Sequence, residues 1–93
     1  MAMIEAFPQL KNNEVALLRA KRKTGHVIDD NFQLAVSISQ RVFTVFDDVN
    51  TALHFAKEII KRNNDIEVCI YEKDNVLLHF ITADNINPDI KTM

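Results

Sequence analysis

The clearest hydrophobic pattern in the chain covers residues 48–63. Apolar side chains recur there every three or four residues, at Val49, Ala52, Leu53, Phe55, Ala56, Ile59 and Ile60. This spacing places them on one face of an α-helix. Asp47 or Asp48 can cap the first turn, and Lys61 and Arg62 complement the helix dipole at the other end. The pattern therefore predicts an amphipathic helix over 48–63.

Two further runs, residues 66–71 and residues 76–82, follow this helix and have strand character. The first alternates cleanly between apolar and polar positions, whereas the second is apolar on both faces. Four polar residues, 72–75, separate them. We predict a β-hairpin, whose second strand either lies centrally in the sheet or has a second covered face.

Upstream of the helix, residues 32–39 alternate as a half-buried strand does. Residues 40–41 either form a turn before a second strand at 42–46 or make a bulge in one long strand, and the sequence leaves both open. Residues 26–28 fit a short partner strand that a tight turn at 29–31 joins to the next run.

Residues 14–24 give conflicting signals. Asn12 or Asn13 can cap a helix, cations crowd its last turn, and Gly25 stands where a helix end favours a left-handed residue. The helical periodicity is poor, however. As a strand, the segment would carry on one face Val15, Leu17, Arg19, Lys21 and Lys23. We favour a helix, because capping explains several positions at once.

Together these elements predict an α+β fold. We expect a small antiparallel sheet of three to five strands, a central amphipathic helix packed on it, and an N-terminal helix. The 93 residues have room for one core, so residues 1–93 are assigned to a single domain. Residues 1–11 and 83–93 are predicted to be irregular ends.

The charge balance and the targeting signals narrow the class of protein. Thirteen acidic residues against 11 basic ones argue against a protein that coats nucleic acid with its whole surface. Cys69 is the one cysteine, so an intrachain disulfide is excluded and a reducing cytoplasm fits. The first eleven residues resemble no signal peptide, and apolar runs are too short to span a membrane. We expect a cytoplasmic protein without membrane partners.

Few residues suggest catalysis. One glycine in the whole chain excludes the glycine-rich loops that bind nucleotide phosphates. The spacings of His26, His54, His79 and Cys69 match no zinc motif, and only His54 and Glu58 are certain to be close, four residues apart on a helix. A solvated pair explains these two adequately. We therefore expect neither an enzyme nor a bound cofactor or metal.

The densest positive charge lies in the stretch that contains Arg19, Lys21, Arg22, Lys23 and His26. On an ideal helix these cations would spread over roughly 200° of the circumference, which marks a helix end better than a stripe that follows phosphates. Such a cationic end can still bind an acidic partner. We assign these five residues as the candidate partner-binding site.

Two functions follow from these observations. The first is a non-enzymatic interaction module, regulatory or inhibitory, that binds a protein partner or forms a homodimer through its sheet. Its basis is the surplus of apolar strand surface at residues 42–46 and 76–81. The alternative is nucleic-acid binding through the cations from Arg19 to Lys23, which fewer features support because exposed aromatic residues beside the charge are scarce.

Overall fold

The computed structural model describes residues 4–85. Within this range the chain forms one helix, one short 3₁₀ turn and five strands. In chain order they are β1 (Val15–Lys21), β2 (Val27–Ile28), β3 (Phe43–Phe46), α1 (Val49–Arg62), β4 (Ile66–Glu72), the 3₁₀ turn Lys73–Asn75 and β5 (Val76–Ile81). The α+β class is confirmed.

The five strands form one antiparallel sheet with β1 in its interior. On one side β1 pairs with β4 along most of its length, and β5 follows β4. On the other side β3 pairs with the first half of β1 and β2 with the second half. Strands β2 and β3 therefore lie end to end beside β1, whereas β5 forms the opposite edge.

Helix α1 confirms the prediction from hydrophobic periodicity. The Asp48 carboxylate accepts a hydrogen bond from the Thr51 N–H at 2.8 Å and so caps the first turn. At the far end the Asn63 N–H donates to the Ile59 carbonyl at 3.0 Å. The helix buries its apolar face on β1 and β4. Its buried residues are Ala52, Ala56, Ile59 and Ile60.

The main core lies between this helix and the facing side chains of the sheet. Leu17 of β1 stands opposite Ile70 of β4, and both are fully buried. Val15, Ile28, Ile66, Val68 and Ile81 complete the sheet side of the same cluster. Burying such side chains is the main stabilising contribution, about 1.5–3 kcal/mol each.

The predicted N-terminal helix is wrong, because the middle of segment 14–24 is strand β1 followed by a turn. Gly25 does adopt a left-handed conformation, with φ of +77°, but it does so in the hairpin between β1 and β2. There its N–H donates to the Lys21 carbonyl at 2.7 Å. The turn residues were identified correctly, and the element that they close was not.

The predicted strand over 32–39 is also wrong, and residues 29–42 form a loop with one isolated bridge between Ile28 and Leu34. Side chains replace the missing ladder. The Asp29 carboxylate accepts from the Asn31 and Gln33 N–H groups at 2.8 and 2.9 Å, and Gln40 accepts from two more N–H groups. Local hydrogen bonds of this kind compete with strand formation. The short strand predicted at 26–28 does form, as β2, but its partner is β1.

Residues 4–11 contain no helix or strand. Phe7 nevertheless packs on the face of the sheet opposite α1, because its ring partners Phe43 and Tyr71 stand beside residues that alternate with the core-facing Leu17. One Glu5 carboxylate oxygen accepts from the Val42 and Phe43 N–H groups at 2.9 and 3.0 Å. The Phe7 ring packs edge-on against Phe43 and Tyr71, with centroid distances of 5.4 and 5.9 Å. This segment thus covers part of the second face. The irregular end predicted at 83–93 falls mostly on residues 86–93, which lie outside the described residues.

Candidate protein-binding surface

β5 is the strand whose apolar composition agrees least with its exposure to solvent. Five of its six residues, 76–80, are exposed, and four of them are large apolar side chains. Leu77 and Phe80 keep 50% and 47% of their area in contact with solvent. The hairpin itself was predicted correctly, but within residues 4–85 β5 has neither a central position nor a covered second face. Exposed apolar edge strands of this kind are typical of protein–protein contacts.

The position of β5 explains why it is uncovered. Helix α1 packs chiefly on β4, β1 and β3. On the opposite face, the aromatic contacts of Phe7 are with Phe43 of β3 and Tyr71 of β4. Within residues 4–85, β4 is the strand that pairs with β5. Within residues 4–85, the side chains of residues 76–80 therefore remain exposed on both faces, and the Asn85 side chain bonds to the outer edge at Phe80.

A β-bulge shapes this strand. The register between β4 and β5 shifts after the pair of Ile70 with His79, so that Tyr71 stands opposite Leu77 and Leu78 is the extra residue. Bulges increase the local twist of a strand and commonly lie at sheet edges. The bulge leaves Leu77 and Phe80 on the same face, because each stands opposite a residue on the face away from α1, Tyr71 and Cys69 respectively.

The structure separates the five residues of the predicted cationic site. Arg19 is 2% exposed and points into the core beneath α1, so it cannot meet a partner. Lys21 pairs with Asp65 at 3.7 Å, and Arg22 pairs with Asp84. Lys23 and His26 lie exposed in or near the β1–β2 turn. Four of the five residues thus share one end of the sheet, two of them already bound to carboxylates.

Arg19 has a structural environment of its own. Its Nη2 donates to the Thr44 hydroxyl at 3.0 Å and to the Val42 carbonyl at 3.5 Å. Its Nε is buried and has no hydrogen-bond partner among the described residues. Burial lowers the pKa of the guanidinium, while the carboxylates of Asp30 and Asp29 act in the opposite direction. The aliphatic stem fills core space between β1 and β3, so Arg19 serves packing and strand pairing.

The two ends of the sheet differ in charge. The cleft beyond the start of β1 and β5 is lined by five carboxylates and one lysine: Glu14, Asp47, Asp48, Glu72, Asp74 and Lys73. The opposite end holds the β1–β2 turn and the last turn of α1, with Lys21, Arg22, Lys23, Lys61 and Arg62. In residues 4–85, Lys23 and Arg62 form no ion pair. Lys21, Arg22 and Lys61 are paired there with Asp65, Asp84 and Glu58, so the excess positive charge at this end rests on Lys23 and Arg62, opposite the acidic cleft.

A second apolar surface lies in the loop 29–42. Phe32, Leu34, Val36 and Ile38 are all exposed, Leu34 by 50%. Phe32 also lines an open groove with Phe55 and Ile59 of α1. Sequence reasoning missed this surface because it assigned the alternating residues to a half-buried strand. The loop is the natural comparison for β5, since it presents similar side chains from hydrogen-bonded turns.

The side chains considered for catalysis lie on different elements, with His54 and Glu58 on α1, Cys69 on β4 and His79 on β5. His54 and Glu58 lie on α1, where His54 is exposed and Glu58 pairs with Lys61 at 3.7 Å. Burial raises the pKa of the Cys69 thiol, which makes it a poor nucleophile at neutral pH. No group of three metal-ligating side chains occurs within residues 4–85. In the same range, no helix has the length and apolar character needed to cross a bilayer.

Comparison with known proteins adds no relative to this description. Neither the models of protein families, nor the curated proteins, nor the solved structures contain a match to this chain.

Proposed function

We propose that this chain is a non-enzymatic interaction module that acts by binding protein, and that β5 is its binding surface. The observation that supports this proposal is that four large apolar side chains of an edge strand are exposed on both faces of the sheet. A soluble monomer usually protects such an edge with charges, prolines or a covering segment. Strand β5 contains none of these within residues 76–81.

The alternative, nucleic-acid binding through the cationic stretch, receives less support. Arg19 is buried, and Lys21 and Arg22 face Asp65 and Asp84. Phosphate binding requires several free cations on one surface. Lys23 is then the one exposed lysine or arginine of that stretch without a described ion pair, so we propose the protein-binding function first.

The test uses two leucines with equal exposure. Leu77 in β5 and Leu34 in the loop are each 50% exposed, so Leu77→Lys and Leu34→Lys make the same change in solvent contact. Wild type and both variants would be immobilised and exposed to lysate of the native host, with and without nuclease treatment, and retained proteins identified by mass spectrometry. The tagged chain itself would be measured in the same samples.

We expect Leu77→Lys to retain at least tenfold less of every protein that the wild type retains, including the untagged chain itself. Leu34→Lys should retain these proteins in wild-type amounts. Loss through Leu34→Lys with full retention by Leu77→Lys would move the binding surface to the loop and overturn the proposal. Retention that disappears on nuclease treatment would favour the nucleic-acid alternative.

A further inference from the structure

We propose that the partner of β5 is β5 of a second copy of this chain, paired antiparallel, so that two sheets join into one continuous sheet. This inference rests on the proposed function and identifies the occupant of the same surface. Antiparallel pairing of two identical edges produces a closed twofold contact, in which each copy contributes the same residues. Both helices α1 then lie on the same face of the joined sheet.

The side chains of β5 are self-complementary in one register. Leu77 and Phe80 lie on the face away from α1, while Val76 and Ile81 stand opposite Glu72 and Val68 on the other face. An antiparallel register with Leu77 opposite the second copy's Phe80 also sets Val76 opposite the second copy's Ile81. Both of these pairs are apolar and each lies on one face, while Leu78, the bulge residue, stands opposite the second copy's His79. A shift by one residue would break this match.

The charge distribution favours the antiparallel orientation. The acidic cleft lies at the start of β5, beside Asp74 and Glu72, and the cationic turn lies at the end of the sheet where β5 finishes. An antiparallel pair places the acidic end of each copy beside the cationic end of the other. A parallel pair would set acidic end against acidic end, where like charges repel. The complementarity is thus a property of the chain paired with itself.

Asn85 limits the length of the pairing. Its side chain donates to the Phe80 carbonyl at 2.9 Å and accepts from the Thr82 N–H at 2.8 Å. The Thr82 N–H is thereby occupied, whereas a carbonyl oxygen can accept a second hydrogen bond. The paired segment therefore ends before Thr82 and spans residues 76–81. Because so short a contact buries less than about 1,200 Å² in total, we expect a reversible dimer that dissociates on dilution.

Two experiments test the inference, one on the mass of the assembly and one on the register of the paired strands. Sedimentation velocity over a concentration series from low to high micromolar should show a shift from monomer to dimer and no larger species. Leu77→Lys should weaken dimerisation at least tenfold, and Leu34→Lys should leave it unchanged. A chain that remains monomeric at high micromolar concentration would overturn the inference, as would a dimer that Leu77→Lys leaves intact.

Disulfide cross-linking in a Cys69→Ala background tests the register. Leu77→Cys mixed with Phe80→Cys should form the mixed disulfide dimer at least fivefold faster than either variant alone under a mild oxidant. Val36→Cys, an exposed apolar position in the loop, measures random collision. Equal rates for the mixture and the single variants, all near the Val36→Cys rate, would overturn the antiparallel register.

These results separate the inference from the proposed function. If the chain is monomeric but Leu77→Lys still loses a different protein from the lysate, the second copy is not the occupant and β5 remains a protein-binding surface. If the chain dimerises and Leu77→Lys changes neither the dimer nor the retained proteins, both proposals for β5 are overturned.

Discussion

Strands β1 and β5 belong to one sheet, but the relation between their amino-acid composition and their burial is opposite. β1 runs into a cationic stretch, yet it is the interior strand, with five of its seven residues buried. β5 carries five apolar residues and one histidine, yet it is the edge strand with one buried residue. Within a single chain, the more apolar strand is thus the more exposed one.

The difference teaches that apolar character alone does not locate a strand in a sheet. β1 can occupy the interior because the aliphatic stem of Arg19 extends into the core and its guanidinium donates to the Thr44 hydroxyl. The positive charge of Arg19 therefore has a hydrogen-bond partner inside the fold. β5 has no such internal explanation within residues 4–85, because α1 packs chiefly on other strands. A partner chain supplies the missing cover in our proposal.

Leu17→Ala and Leu77→Ala make the same chemical change in the two strands. Leu17 is fully buried, whereas Leu77 is half exposed. We expect Leu17→Ala to reduce the free energy of unfolding by about 2–5 kcal/mol, because it leaves a cavity in the core. Leu77→Ala should cost less than about 1 kcal/mol in dilute solution. Urea denaturation at low micromolar concentration measures both, and equal losses would contradict the contrast.

Arg19 tests whether charge or stem is important in β1. Arg19→Ala removes both and should cost about 2 kcal/mol, while Arg19→Met keeps most of the stem and should cost less than half of that. The physical reason is that the guanidinium is desolvated and its Nε is unpartnered. Thermal denaturation of the two variants checks this, and an equal loss would show that the hydrogen bonds to Thr44 and Val42 outweigh packing.

The dependence of Tm on protein concentration tests whether β5 contacts a second copy of the chain. A protein that dimerises only when folded gains stability with concentration. We expect the wild-type Tm to rise by a few degrees between dilute and concentrated solution, and the Tm of Leu77→Lys to stay constant. Calorimetry at a series of concentrations measures this. A Tm of Leu77→Lys that rises as steeply as that of the wild type would place the contact elsewhere.

Acid should weaken the cap of α1 and the loop 29–42 first. Hydrogen bonds from Thr51 lower the pKa of Asp48, and those from Gln33 and Gln40 lower the pKa of Asp29. A carboxyl group with a lowered pKa in the folded state stabilises the protein above its unfolded pKa, near 4, and loses that contribution as pH falls through the folded value. We expect Tm to fall below about pH 4. Asp48→Asn, which still caps α1, should flatten this fall in a pH series.

The smallest effect concerns Cys69, which lies in β4 between Leu18 of β1 and Phe80 of β5. Burial raises its thiol pKa, so little thiolate exists at neutral pH and alkylation should be slow. Phe80→Ala uncovers the thiol from the β5 side and should increase the iodoacetamide rate severalfold. Leu18→Ala provides the matched change from the β1 side, and its rate shows whether β1 covers the thiol more than β5 does.

The sequence predicted the parts of the fold that depend on local patterns. Helix α1 and the β4–β5 hairpin follow from periodicity, a capping aspartate and a polar turn, all within a few residues of one another. Strand β1 could not be recognised, because its pairing with β4 depends on residues about fifty positions away and overrides the local helix signals. The left-handed turn at Gly25 is equally compatible with a helix end and a hairpin.

The candidate surface was predicted only in part. The sequence shows that residues 76–81 are apolar on both faces of the strand. It does not show whether α1, residues 4–11 or a partner covers them, because that depends on where α1 and residues 4–11 pack. The loop 29–42 was mistaken for a strand because the Asp29 and Gln40 side chains satisfy its backbone, and alternation gives no sign of that. The predicted cationic site includes Arg19, which is buried although charged side chains usually lie at the surface.

Hydrogen exchange at the backbone amides of β5 tests the central claim most directly. If a second copy covers this strand, the outward amides of residues 76–80 should exchange more slowly as protein concentration rises, while the amides of β1 remain equally protected throughout. Leu77→Lys should abolish that concentration dependence. Fast exchange of β5 at every concentration, with no difference between the wild type and Leu77→Lys, would contradict the claim that β5 binds a second copy of this chain.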